Sequence, residues 1–303
     1  MKIVIAGGTG FLGRPLAASL AERGHTTVLL SRTATAAAGP ARSRTVAWTP
    51  NGATGVWASE IDGVDAVVNL AGESIAARRW TAAQKERILT SRVLATRSLV
   101  EAIRHAATPP PVLVSGSAVG YYGPLADEVV TEKTQAGHDF LASVVVKWEA
   151  EAQPAAGPRT RVVTIRTGLV LERDGGALPK MLPPFWFGGG GPFGSGRQYW
   201  PWIHRLDWIE LVRFAIETPG VSGPLNATAP NPVTNAQFAK ALGHAMHRPA
   251  FMPTPGFVLK LILGEMAEAL LLSGQRAIPA KAERLGFTFA YPRLEPTLAA
   301  LFK

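Results

Sequence analysis

The chain has no cysteine in its 303 residues. That absence removes disulfides, thiolate nucleophiles, zinc fingers and Cys-ligated iron–sulfur clusters together. Charge is sparse, at 17% against 47% apolar residues, a balance that buries a large core and argues against disorder. Tyrosine is scarce, with 4 in the chain, and that shortage bears on proton transfer below. Long apolar runs are missing too. The most apolar late stretch, Gly256 to Leu272, is interrupted by Lys260, Glu265 and Glu268 and reads as an amphipathic helix, not a membrane span. The start, Met1-Lys-Ile-Val-Ile-Ala, is too short for the apolar part of a signal peptide. Cytoplasmic residence with no membrane partner is therefore expected. Acidic residues are the minority, 22 against 31 Lys plus Arg, for a net charge of +9. No basic stripe with interleaved aromatics stands out, so no nucleic-acid partner is expected. Six histidines are present, but His244 and His247 share a helix without a carboxylate between them, so no metal site is expected.

What is present alternates. Strand-like runs fall at Lys2–Ala6, Thr27–Leu30, Arg44–Trp48, Ala66–Leu70, Val112–Ser115, Arg161–Arg166 and Leu225–Ala227. Helix-like stretches lie between them at Arg14–Arg23, Thr81–Ala106 and Asp139–Ala152, with another at Asp207–Glu217. Strands separated by helix-length segments predict βαβ units and a parallel sheet. After Leu171 the pattern changes. The glycines at 188–191 and the prolines between Pro179 and Pro201 read as a loop. Thr234-Asn-Ala-Gln237 fits a capping box ahead of a helix through His247, and the remainder reads as mostly helical. At about 150 residues per domain the length suggests two units. The expected division is 1–173, completed by about 202–228, against a smaller lobe of 174–201 and 229–303.

The strongest local signal is Ile3-Val-Ile-Ala-Gly7-Gly8-Thr9-Gly10-Phe11-Leu12-Gly13. It follows a strand and opens a helix, the setting a dinucleotide-binding turn needs. Glycine permits the tight turn and lets the backbone approach a pyrophosphate at the helix N-terminus. About 20 residues past the glycines, an NAD site carries a carboxylate for the ribose 2′-hydroxyl. Ser31-Arg32 stand there instead. A guanidinium binds a 2′-phosphate, so NADP(H) is the expected cofactor; Arg42 and Arg44 are alternative sources of that charge. In a doubly wound sheet the ligand lies beyond the carboxyl ends of the strands, which brings Leu70-Ala71-Gly72, Ser115-Gly116-Ser117 and Arg166-Thr167-Gly168 into the expected site.

Taken together these segments resemble the extended and atypical short-chain dehydrogenase/reductases. Asn69-Leu70-Ala71-Gly72, Ser115 to Gly123, and Gly194 through Ile203-His204-Arg-Leu-Asp207 carry the likeness. A narrower resemblance, to an atypical epimerase-like group with an NADPH-binding human member, rests on further segments. They are Gly72-Glu73, Arg79-Trp80, Gln84-Lys-Glu86, Ser91-Arg92, Tyr121-Tyr122, Trp148-Glu149, Pro201-Trp-Ile-His204, and Pro224 to Pro249 followed by Leu285-Gly-Phe. The resemblance implies a Rossmann-type doubly wound α/β fold with a smaller, mostly helical C-terminal lobe. It also implies cofactor contacts at Ser31, Arg32, Leu70, Ala71, Glu86, Arg92 and Val170.

Typical members of that superfamily move the proton with Tyr-x-x-x-Lys. The residues four past Tyr121, Tyr122, Tyr199 and Tyr291 are Leu125, Ala126, Ile203 and Glu295, so the pair is absent. In the helix where it belongs, Lys147 aligns Ser143 with the Tyr slot, whereas Glu149 aligns Leu141 and Val145 there. Other carriers are available: Tyr122 or Tyr121 past the fifth strand, Ser117 beside a carbonyl oxygen, and His204, with an ordinary pKa near 6.5. Trp200 stands where sugar-nucleotide enzymes of the superfamily carry an Arg for the diphosphate, which disfavours a sugar nucleotide. The expectation is an oxidoreductase or epimerase acting on a small carbonyl or alcohol. The alternative is an NADP(H)-binding sensor or assembly protein without turnover.

Overall fold

The computed structural model describes residues 1–33 and 40–303. Seven strands form one sheet: β1 (Lys2–Ala6), β2 (Thr26–Ser31), β3 (Ser43–Ala47), β4 (Ala66–Asn69), β5 (Val112–Ala118), β6 (Arg161–Thr167) and β7 (Gly223–Ala227). Every pairing is parallel, and in space the order is 3-2-1-4-5-6-7. This is the doubly wound Rossmann arrangement. Its order reverses beside β1, so a crevice opens beyond the carboxyl ends of β1 and β4.

The strands are buried on both faces because helices cover both. Side chains alternate across the sheet. Ile3 and Ile5 face α1 (Gly13–Glu22) through Leu16 and Leu20, together with Trp208, Leu211 and Val212 of the helix at Arg205–Glu217. Val4 and Ala6 face the opposite way, into a cluster with Leu99 and Ile103 of α2 (Ala82–His105). Thr81 caps α2 by accepting from the Gln84 N–H at 3.2 Å. α3 (Phe140–Ala152) packs beside α2 and begins on an Asp139 cap.

The expected loop after Leu171 contains a helix, α4 (Leu178–Trp186), despite Pro179, Pro183 and Pro184. Pro179 lies in the first turn, where no intrahelical N–H bond is lost. Leu178, Leu182 and Phe185 are buried in a third apolar cluster, and that burial outweighs the bonds missing at Pro183 and Pro184. α5 (Arg205–Glu217) lies against the sheet, and α6 (Asn235–Met246) opens with a complete Thr234–Gln237 capping box. α6 packs on the last helix, Leu294–Leu301. The stretch read as one amphipathic helix is broken. α7 (Gly256–Leu263) stops at Gly264, where φ is +64°, and a π-helical turn follows at Glu268–Leu272. α7 leaves Phe257, Leu261 and Ile262 exposed. No helix among the described residues is long and apolar enough to cross a membrane.

Candidate active site

The β1–α1 turn is built by close backbone packing. A Cβ on Gly13 would lie 2.3 Å from the Gly7 carbonyl oxygen, and one on Gly7 would meet the Leu70 carbonyl at 2.8 Å. Gly8 backs onto Leu29. Gly7 and Gly13 are thus required by the fold itself, because the atoms they would meet are backbone. Gly10 differs: it is exposed, and its Cβ would approach only Gly7 O, at 3.3 Å. Thr9 is exposed beside it, and α1 has no side-chain cap at its N-terminus. Within α1 the Arg14 and Leu16 N–H groups donate to the Gly10 and Leu12 carbonyls at 3.1 Å and Pro15 has no N–H, so the turn presents bare backbone with the Phe11, Leu12 and Gly13 N–H groups unpartnered among the described residues, a cradle suited to phosphate. Phe11 packs under the Gly175-Gly176 loop. Gly176 also approaches the Val170 carbonyl, which brings Val170 next to the turn.

Arg32 is exposed at the end of β2, and no bond or ion pair among the described residues engages its guanidinium. The two alternatives are occupied. Arg42 donates to Gly24 O at 3.1 Å, and Arg44 pairs with Glu60. Ser31 is half-buried, its Oγ accepting from the Thr33 N–H at 3.4 Å. Glu86 is exposed on α2. At β4, Asn69 Oδ1 accepts from the Ala71 N–H at 3.2 Å, and Asn69 Nδ2 donates to Thr96 Oγ1 at 2.9 Å. Gly72 lies against Arg92, where a Cβ would meet the Arg92 Cγ at 3.1 Å. Arg92 Nη1 donates to the carbonyls of Glu73 and Ile88, and its guanidinium sits 5.2 Å from the Trp148 ring. Burial pulls the Arg92 pKa down, with Glu73 opposing.

A cavity of about 370 Å³ runs from the turn, at Leu12 and Leu70, past Gly116 and Ser117 of β5, to Ser273, Gly274 and Gln275. α3 contributes Leu141, Val144, Val145 and Trp148; Met181, Tyr199 and Trp200 stand among the other walls. Arg92 is the one charged residue in this lining among the described residues. Ser143 and Lys147 are exposed and stand outside it, so the first alignment of the missing pair fails. Ser115 is fully buried, its Oγ bonded to Gly116 O at 3.4 Å, and it stays behind the wall.

Behind Ser117 lies a polar network that sequence reasoning missed. Ser117 Oγ donates to Glu149 Oε1 at 2.5 Å. Arg166 grips both Glu149 oxygens, Nε to Oε1 at 2.8 Å and Nη2 to Oε2 at 2.9 Å. Desolvation lowers the Arg166 pKa, but the Glu149 contacts more than offset it and hold it above the ordinary value. Arg166 Nη1 also donates to the Tyr122 hydroxyl at 3.1 Å, and that hydroxyl donates to Asn226 Oδ1 at 2.7 Å. The signal was a Glu in α3 and an Arg ending β6. Nothing local says that they meet.

The expected proton carriers therefore separate. Ser117 lines the cavity. Tyr122 does not: its ring is 2% exposed and its hydroxyl is saturated. Burial pushes its phenol up to about 12, against the pull of Arg166. Its position in the buried network is at odds with the expected role as acid. His204 is also buried and outside the cavity lining. Its Nδ1 accepts from the Leu206 N–H at 3.1 Å as the cap of α5, and its ring stacks on Tyr291 at 3.8 Å. Burial lowers its pKa and favours the neutral ring. Asp207 accepts from the Ala290 and Tyr291 N–H groups at 2.8 and 2.9 Å. The Ile-His-x-x-Asp segment is thus a clamp on the C-terminal stretch. Among the described residues no three His, Asp or Glu side chains converge as metal ligands.

The model of the NAD dependent epimerase/dehydratase family matches residues 3–226, which include the glycine turn, the cavity's β5 wall and the Glu149–Arg166 pair. The chain belongs to that family. Residues 254–301 match a second model, a domain of unknown function, DUF1731. Among full-length relatives of this family member, the epimerase family protein Mb2239 of Mycobacterium bovis is 43% identical over 95% of the chain and 93% of its own length. The human epimerase family protein SDR39U1 is 40% identical, with 98% of each chain covered. A crystal structure of that human protein with NADPH superposes with a TM-score of 0.90 at 38% identity, covering 100% of this chain and 99% of the other. A nucleoside-diphosphate sugar epimerase from Corynebacterium glutamicum gives 0.80 at 34% identity, with 58% of that longer chain covered.

Proposed function

We propose that this chain is an NADP(H)-binding oxidoreductase or epimerase-like enzyme acting on a small carbonyl or alcohol. One observation carries the reading: a single cavity joins the exit of the glycine turn, at Leu12 and Leu70, to Ser117. A dinucleotide whose pyrophosphate lies on the turn has its nicotinamide end directed into that cavity. The residues present fit the cofactor. Gly10 leaves its outer side open, the turn into α1 offers the N–H groups of Phe11, Leu12 and Gly13, and Arg32 supplies a cation for a 2′-phosphate while Arg42 and Arg44 are engaged elsewhere. The NADPH named with the human relative supports the same choice. When bound, the nicotinamide supplies or accepts a hydride; the protein's part is to hold the substrate's oxygen and exclude water. Residues 1–173, completed by 202–228, hold the cofactor in this reading, and the remainder closes the substrate side. The nucleoside-diphosphate sugar in the Corynebacterium protein's name is disfavoured, because Trp200 and apolar side chains surround the space and Arg92 is already turned onto backbone carbonyls.

The binding-only alternative has an observation of its own: Leu141 and Val145, which the Glu149 alignment sets in the place of the Tyr-x-x-x-Lys pair, are apolar and line the cavity. Two measurements separate the readings. Titration of intrinsic fluorescence with NADPH and NADH tests the cofactor, and tighter NADPH binding is expected. Absorbance at 340 nm tests turnover in both directions, with NADPH against a panel of apolar aldehydes and ketones and with NADP⁺ against the matching alcohols. Equal affinity for the two dinucleotides sinks the cofactor assignment; a wholly inert panel favours the binding-only reading.

A further inference from the structure

Ser117 is fixed in one polarity. Its Oγ donates to Glu149 Oε1, and Glu149 meets Arg166 with both oxygens. A carboxylate gripped in that way has only lone pairs to offer, so the hydroxyl proton points away from the cavity. What Ser117 presents to the cavity is therefore an acceptor. The other walls are mostly apolar, with Arg92, Tyr199 and Ser273 as further polar residues; Arg92 directs Nη1 onto the Glu73 and Ile88 carbonyls, and Ser273 Oγ donates to Glu268 O. Thr167 Oγ1 donates to Ile165 O and accepts from Trp208 Nε1, and Gln275 Nε2 donates to Val119 O. The remaining surface is largely Leu, Ile, Val, Met and Trp.

We infer that the cavity takes an apolar alcohol, bound through its own O–H donated to Ser117, and that Glu149 is the positioning residue that sets this preference. The inference rests on the cofactor reading above for its place in a reaction, but not for its test. A ketone oxygen brings only lone pairs and meets lone pairs at Ser117, so it is rejected relative to a donor of equal size. A nucleoside diphosphate is excluded by the same apolar walls.

The test uses two inert probes of equal heavy-atom count, 1-methylcyclohexanol and 4-methylcyclohexanone. The first is a tertiary alcohol that cannot be oxidised to a ketone, and the second is not reduced by NADP⁺. Saturation-transfer NMR titrations are run on the full chain with and without saturating NADP⁺. The unmodified protein is expected to bind the alcohol about tenfold more tightly, the worth of one hydrogen bond made against one denied. Ser117→Ala removes that difference. The double variant Glu149→Leu with Arg166→Met frees the Ser117 hydroxyl to donate, so ketone affinity rises to match the alcohol; a merely structural role would lower both together. The Ser117→Ala arm decides the matter if the double variant does not fold. Equal or tighter ketone binding by the unmodified protein overturns the inference, as does a preference that survives Ser117→Ala or a failure to bind either probe. Absence of NADP⁺ binding with the alcohol preference intact would overturn the cofactor reading alone.

Discussion

Tyr122 shows how one residue's partners decide its chemistry. Its hydroxyl bonds to Asn226 and Arg166, 104 and 44 residues away along the chain, so its role is set by contacts no local pattern reveals. Tyr122→Phe is expected to leave NADPH affinity unchanged and to cost about 1–3 kcal/mol of stability, since Asn226 and Arg166 each lose a buried partner. The alkaline limb should change as well. A phenol raised from 10 to about 12 in the folded state contributes stability that is complete below pH 10. That contribution, about 2–3 kcal/mol, is lost as pH rises from 10 toward 12. Urea melts at pH 8 and across pH 10–12 check it: the difference between the unmodified protein and Tyr122→Phe should shrink with rising pH. A constant difference would place the phenol in a more solvated setting than the structure gives it. Arg32 is the opposite case, exposed and readable from its place after β2. Arg32→Asp should weaken NADPH by about 1.5–3 kcal/mol, a lost charge-assisted contact plus repulsion, and leave NADH nearly unchanged. Parallel fluorescence titrations decide it, and equal losses for both dinucleotides would remove the 2′-phosphate from the argument.

At the scale of elements, the glycine turn separates two uses of one residue type. Gly13→Ala places a Cβ within 2.3 Å of Gly7 O, so backbone must move and stability should fall by about 1–3 kcal/mol. Gly10→Val puts its branch on the exposed side, so the melting temperature should hold while NADPH binding is lost. Thermal melts paired with NADPH titrations distinguish them, and a folded Gly10→Val protein that still binds would move the pyrophosphate off the turn. These elements were legible because their causes are local. Apolar runs ending at glycines predict strands, and Thr81, Asp139 and Thr234 are cap residues that mark helix starts. α4 was hidden because its prolines argue for a loop, while the burial of Leu178, Leu182 and Phe185 that stabilises it comes from partners far along the chain. The Glu149–Arg166 pair was hidden for a related reason. A helix and the next strand bring them together behind Ser117, and no periodicity encodes that meeting.

For the whole molecule, the cavity exists only because distant parts of the chain share it. The sheet end supplies Gly116 and Ser117, and the C-terminal stretch supplies Ala269, Leu270 and Ser273–Gln275. That stretch is pinned at several points. Asp207 holds the Ala290–Tyr291 backbone, Gln198 Nε2 donates to Leu271 O at 2.7 Å, and Leu125 N donates to Gly274 O at 2.9 Å. Gly274 is the tightest of these positions, because a Cβ there would fall 1.9 Å from the Tyr199 carbonyl oxygen. Neither atom can yield without moving backbone, and both residues line the cavity. Gly274→Ala should therefore push the C-terminal wall outward, costing about 1–3 kcal/mol of stability. The glycine turn lies at the other end of the cavity, so NADPH affinity should stay within about twofold, a change of less than 1 kcal/mol. Binding of 1-methylcyclohexanol should fall by at least about tenfold, since apolar contact and the exclusion of water around Ser117 are both lost. Urea melts, NADPH titration and the same saturation-transfer measurement read the three quantities on one sample. Parallel loss of NADPH and alcohol binding would mean that the wall and the turn are mechanically coupled, and unchanged alcohol binding would remove the C-terminal stretch from the substrate side.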